Sequence, residues 1–161
     1  MNILVLCTGN SARSILGEAL FNATGCGRIK AFSAGSNPNG TVNPYALRLL
    51  KDKGFDTSVF RSKSWDEFAA NGAPEMDIVI TVCGNAASET CPVWIGAPIT
   101  VHWGFPDPAA VEGSDEEIMA AFKETFYGLK RNVAAFVAID FDAMAPEDIS
   151  LALADIHKGQ Q

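Results

Sequence analysis

Only two histidines, His102 and His157, occur in the 161 residues of this chain. With so few imidazoles and no Cys-x2-Cys pair, a zinc site of the usual Cys/His kind is argued against. The four cysteines, Cys7, Cys26, Cys83 and Cys91, are too sparse for a disulfide scaffold. In a reducing compartment such cysteines are either buried packing residues or chemically active ones. Positive charge is also scarce, with 12 Lys and Arg against 19 Asp and Glu and a net charge of −7. That balance excludes broad binding to nucleic acid or to an anionic membrane, both of which need a basic surface. Any anion must therefore be held locally, against the overall field. No run approaches the ~20 apolar residues of a membrane span. The opening run Ile3-Leu4-Val5-Leu6 is short and has no basic stretch before it, unlike a signal peptide. A soluble, cytoplasmic protein is the expectation.

At 48% hydrophobic and 19% charged residues, the composition is that of a globular domain able to bury a full core. Strand-like apolar runs recur at 2–6, 29–33, 77–82 and 100–103. The first and third are nearly continuous Ile, Val and Leu, the pattern of strands covered on both faces. Between them lie helical patterns at 12–22, 43–54 and 64–70, the second with Pro44 in its first turn and Gly54 just past its end. The longest runs from 114 to 139, opening Ser-Asp-Glu-Glu, an acidic start that complements the helix dipole. Strands alternating with helices predict an α/β fold: a single doubly wound domain of three layers, with a four-stranded parallel sheet flanked by helices. Residues 1–140 form that domain. Residues 141–161 read as a C-terminal extension, helical from the spacing of Ile149, Leu153 and Ile156 and packed on the same domain.

The chemistry concentrates in "CTGNSARS", residues 7–14. A strand leads into Cys7 and a helix begins near Ala12 or Arg13. The small residues between let the backbone turn with several N–H groups pointing inward. Such a nest at a helix N-terminus binds tetrahedral oxyanions and stabilises a thiolate. Thr8, Gly9, Asn10, Ser11, Ala12, Arg13 and Ser14 are thus the candidate oxyanion loop. Arg13 offers a bidentate guanidinium, Ser14 a hydrogen bond to the sulfur, and Asn10 a brace to backbone groups.

"VLCTGNSARS" resembles the phosphate-binding loop of the low-molecular-weight protein tyrosine phosphatase fold. "FSAG" (32–35), "VNP" (42–44), "ITVC" (80–83) and "HWGFPDPA" (102–109) are similar to the arsenate reductases built on it. The resemblance implies a catalytic set of Cys7, Arg13, Asp107, Cys83 and Cys91. Cys7 is the nucleophile, Asp107 the general acid, and Cys83 and Cys91 a redox pair whose disulfide supplies two electrons. Cys83, after a strand parallel to the first, emerges on the same sheet edge as Cys7. If 84–90 were helical, Cys83 and Cys91 would stand ~12 Å apart along the axis. A disulfide needs Cα atoms within ~7 Å, so the segment must open to close the bond. No bound cofactor is implied, but an external thiol reductant is: thioredoxin, or glutathione with glutaredoxin. Arsenate is the implied substrate, with phosphate or sulfate as mimics.

Two departures stand out. Relatives often place cysteine before the arginine, where this chain has Ala12. Some reductases bind potassium through positions matching Asn10, Glu18 and Ser33 plus an aspartate, where this chain has Lys63; its ammonium takes the cation's place beside Glu18, and no metal is expected. Cys26 and His102 are bystanders. The alternative reading is a protein tyrosine phosphatase or other phosphomonoesterase, against which stand the Cys83/Cys91 pair and Ala109-Ala110, where the phosphatases carry aromatic residues. A non-catalytic oxyanion sensor, from a different class, is argued against by Asp107.

Overall fold

A computed structural model describes every residue except 85–93, 95, 97, 160 and 161. Cys91 and most of the segment between it and Cys83 therefore lie outside the described residues. Strand β1 (Asn2–Cys7) is central; β2 (Lys30–Gly35), β3 (Ile78–Thr81) and β4 (Ile99–His102) complete a parallel sheet in the order β2-β1-β3-β4. Helices α1 (Arg13–Thr24), α2 (Pro44–Asp52), α3 (Asp66–Ala69), α4 (Asp115–Val137) and α5 (Pro146–Lys158) lie around it. The doubly wound α/β architecture expected from the sequence is the one found.

The alternation of β1 divides the core. Ile3, Val5 and Cys7 face a large cluster with Ile15, Leu16, Phe21, Leu49, Trp103, Phe122 and Phe136. Leu4 and Leu6 face a smaller one with Phe68, Met76, Val79 and Trp94. Both faces of β1 are buried, which is why it reads as an unbroken apolar run.

Several boundaries shift by one to two residues. Strand β1 includes Cys7, opposite Gly35 at the end of β2. The sequence pattern stopped β2 at Ser33, yet the strand continues through Ala34 and Gly35. Glycine is required there, because a Cβ on Gly35 would lie 2.3 Å from the Thr8 carbonyl oxygen. Helix α4 begins with a reciprocal capping box between Ser114 and Glu117. Helix α5 docks through Leu153, which is fully buried, and its carbonyl accepts from Trp103 Nε1 at 2.8 Å. No helix among the described residues is long and apolar enough to cross a membrane.

Candidate active site

In the strand order β2-β1-β3-β4, the chain leaves β1 for one side of the sheet and later returns to its other side. The carboxyl end of β1 is therefore the topological switch point, where a crevice opens between the diverging connections. Cys7 is the last residue of β1 and sits there, 4% exposed.

The loop after it is shaped from outside. The carbonyls of Thr8, Gly9 and Ser11 accept from the backbone N–H groups of Asn37, Asn39 and Asn43 at 2.9–3.0 Å. A trans peptide puts its N–H opposite its C=O, so the amides of Gly9, Asn10 and Ala12 turn the other way. The Asn10 N–H donates to Cys7 Sγ at 3.2 Å. Asn10 itself has φ 42°, a left-handed conformation that asparagine tolerates better than most residues and that bends successive amides into a concavity. Ser14 Oγ lies 3.0 Å from the sulfur. Helix α1 begins at Arg13 with no side-chain cap on its first N–H groups, leaving its positive end directed at the same loop.

Buried polar bonds hold this shape. The Asn10 amide donates to Ser14 Oγ and Ser33 Oγ, each at 2.9 Å, while its Oδ1 accepts from the Lys63 N–H at 2.8 Å. Ser33 in turn donates to Glu18. The Lys63 ammonium, 7% exposed, stands 3.5 Å from Glu18 Oε2 and 3.4 Å from Ser33 Oγ. Burial pushes its pKa below the usual lysine value, opposed by the charge of Glu18. The potassium position of the resemblance thus does not fit this chain: the carboxylate already has its cation, and a second would lie against an ammonium. Replacing Lys63 with methionine leaves the half-buried Glu18 without a counter-charge. The expected loss is about 3–5 kcal/mol, read from denaturant midpoints, with most of it recovered on adding Glu18→Gln.

Arg13 reaches across to the segment after β4. Its Nη2 is 3.0 Å from Asp107 Oδ2, and its Nη1 donates to the Phe105 carbonyl at 2.9 Å. Asp107 divides its carboxylate: Oδ1 accepts from the Ala109 N–H at 3.1 Å and fixes the turn, while Oδ2 faces Arg13. The second thiol enters from β3. With Leu6 opposite Thr81 in the β1–β3 ladder, Cys7 and Cys83 both lie just past that pair on the same sheet edge. Cys83 is buried, with its Sγ 3.5 Å from Thr8 Oγ1 in the loop. Cys7, Arg13, Asp107 and Cys83 thus meet in one place. Cys26 is exposed in a turn, and His102 Nδ1 pairs with Thr81 Oγ1 at 2.8 Å.

Sequence reading missed the supports. The asparagine-rich stretch "SNPNGTVNP" at 36–44 buttresses the loop: Asn39 packs 2.9 Å from where a Gly9 Cβ would be and donates to Ser11 Oγ at 3.2 Å, and Ser62 Oγ donates to the Gly9 carbonyl at 3.2 Å. Its density of turn-forming residues was the available signal.

An oxyanion seated in this loop would meet inward amides, a helix N-terminus and a guanidinium, with one thiol beneath it and a second beside it. Residues 2–147 match the family model "Low molecular weight phosphotyrosine protein phosphatase". The chain is 37% identical over 134 residues to an arsenate reductase of Halalkalibacterium halodurans, covering 83% of this chain and 93% of that one. Against an arsenate reductase of Bacillus subtilis it is 39% identical over 121 residues, covering 75% and 84%. The solved arsenate reductase of Archaeoglobus fulgidus superposes with a TM-score of 0.66 at 26% identity, covering 85% of this chain and 99% of the other. The chain belongs to the low molecular weight phosphotyrosine protein phosphatase family.

Proposed function

We propose that this protein reduces arsenate to arsenite, with Cys7 as nucleophile and Cys83 as the first resolving thiol. The observation that carries the reading is the second thiol: Cys83 Sγ lies 3.5 Å from Thr8 Oγ1, in the shell of the anion loop. Hydrolysis of a phosphate ester has no use for it; a two-electron reduction does. The identities to arsenate reductases over most of the chain point the same way.

In the first step the Cys7 thiolate attacks arsenic(V), forming an S–As bond. One arsenic oxygen departs as water, protonated by Asp107, while Arg13 and the loop amides hold the remaining oxygens. Cys83, as thiolate, then attacks Cys7 Sγ. The S–As bond breaks with its electron pair passing to arsenic, so arsenite leaves and a Cys7–Cys83 disulfide remains. Cys91, outside the described residues, attacks Cys83 and returns Cys7 to the thiolate. An external thiol reductant of the thioredoxin type reduces the resulting Cys83–Cys91 bond.

The test is a single turnover. Fully reduced protein is mixed with one equivalent of arsenate, alkylated and mapped by mass spectrometry. One arsenite released together with a Cys83–Cys91 disulfide is the expected result. Arsenite formed only with added glutathione, with its adduct on Cys7, moves the second thiol outside the chain. No arsenite under either condition, with hydrolysis of an aryl phosphate instead, overturns the reading in favour of a phosphomonoesterase.

A further inference from the structure

The segment that carries Asp107 reads Gly104-Phe105-Pro106-Asp107-Pro108 and belongs to no helix or strand until the 3-10 turn at Pro108–Ala110. Its two prolines fix their own φ angles and restrict Phe105 and Asp107, the residues before them, to extended conformations. The freedom left in the stretch is concentrated at Gly104. Behind it, toward α4, lies a cavity of about 580 Å³ whose lining includes Phe105, Asp107, Glu124, Arg131 and His157. The Phe105 N–H donates to the Val82 carbonyl at 3.1 Å and Pro108 is buried, so the segment is pinned at two points, and between them its cavity-facing side has room for a further support.

That contact comes from the end of α5, beyond residue 147, where the family match stops. The ring of His157 is 92% buried and sits edge-on to Phe105, with ring centroids 5.1 Å apart. Its Nδ1 lies 3.1 Å from Nδ2 of the buried Asn132 on α4, and the Gly104 carbonyl is close enough to favour its protonated form. Burial holds the imidazole pKa below its usual value, with the nearby His102 adding to the effect against the pull of the Gly104 carbonyl. A neutral ring has one N–H and one lone pair, so with Nδ1 accepting from Asn132 the Nε2–H is left to turn toward Gly104. On its far side Phe105 lies against α4 where Gly128 leaves room; a Cβ there would come within 2.6 Å of Phe105 Cε1. The Phe105 carbonyl is the one that accepts from Arg13.

We propose that His157 is a positioning residue for the reaction, holding the Gly104 carbonyl and the Phe105 ring so that Asp107 and Arg13 meet at the anion loop. The inference rests on the reading of Asp107 as proton donor to arsenate. Helix α5 is on this view a working part of the site, joined to it through one imidazole.

Three variants separate the bonds. The amide of His157→Gln places its nitrogen near Nε2 and keeps the Gly104 link; that of His157→Asn places its oxygen near Nδ1 and keeps only Asn132; His157→Phe keeps the ring and neither bond. Single-turnover arsenite release at saturating arsenate is measured alongside amide hydrogen exchange of residues 104–110. His157→Asn and His157→Phe are expected to slow release about 10- to 100-fold with little change in half-saturating arsenate, because misplacement of the acid affects the transition state more than the bound anion. Exchange at the Phe105 and Ala109 amides rises with it, while His157→Gln stays within about twofold of wild type in both readouts. Wild-type release and exchange in all three variants would overturn the proposal, as would equal losses in all three. If wild-type protein forms no arsenite, the functional reading falls, and the exchange of Phe105 and Ala109 still decides whether His157 positions the segment. Should His157→Phe fail to fold, the comparison of Gln with Asn decides the same point.

Discussion

Cys7→Ser protein is expected to form no measurable arsenite, a loss of at least about 10⁴-fold in single turnover. A hydroxyl at this position carries its proton at neutral pH and cannot form the S–As bond. It also cannot become one half of a disulfide, so both chemical roles vanish together. The fold should not suffer, because the serine Oγ can still accept from the Asn10 N–H and pair with Ser14 Oγ, the two contacts made by the sulfur. Denaturation midpoints close to wild type and retained binding of inorganic phosphate, measured by calorimetry, would show that the loop survives. Arsenite production by the variant would place the nucleophile elsewhere.

Asp107→Asn is expected to slow arsenite formation about 10²- to 10⁴-fold, the range of a lost general acid. The amide is isosteric and its oxygen can still accept from the Ala109 N–H, so the turn at Pro108–Ala110 persists. What disappears is the transferable proton, together with the ion pair to Arg13. Because Asp107 is 43% exposed, that pair adds only about 0–1 kcal/mol to stability, and the melting temperature should barely move. A large fall in rate with an unchanged melting temperature therefore separates a chemical role from a structural one. Activity within a few-fold of wild type would assign the proton to another donor.

How far these parts could be read without coordinates depended on their range along the chain. Cys7 was legible because an unbroken apolar strand, a small-residue turn and an amphipathic helix follow one another within a short stretch. The Lys63–Glu18 pair was legible only through resemblance. The pairing of Arg13 with Asp107, and the ring contact of His157 with Phe105, join residues distant in sequence, and no periodicity marks such contacts. His157 was the harder of the two, since its helix reads simply as a packed surface element. Strand ends were also misplaced: Ala34 and Gly35 look like a turn, and only the approach of the Thr8 carbonyl shows why a glycine stays extended there.

The outward carbonyls of the anion loop have a consequence for biogenesis. Thr8, Gly9 and Ser11 are gripped by Asn37, Asn39 and Asn43, and Asn10 by the amide of Lys63. None of those partners has yet emerged when Cys7 leaves the ribosome. Until β2 docks and the stretch behind it arrives, the loop around Cys7 has nothing to hold its shape. The anion pocket forms with the finished fold and is lost again if the fold opens. A newly made or heat-damaged molecule therefore carries the same thiol without the cradle that would seat an oxyanion against it.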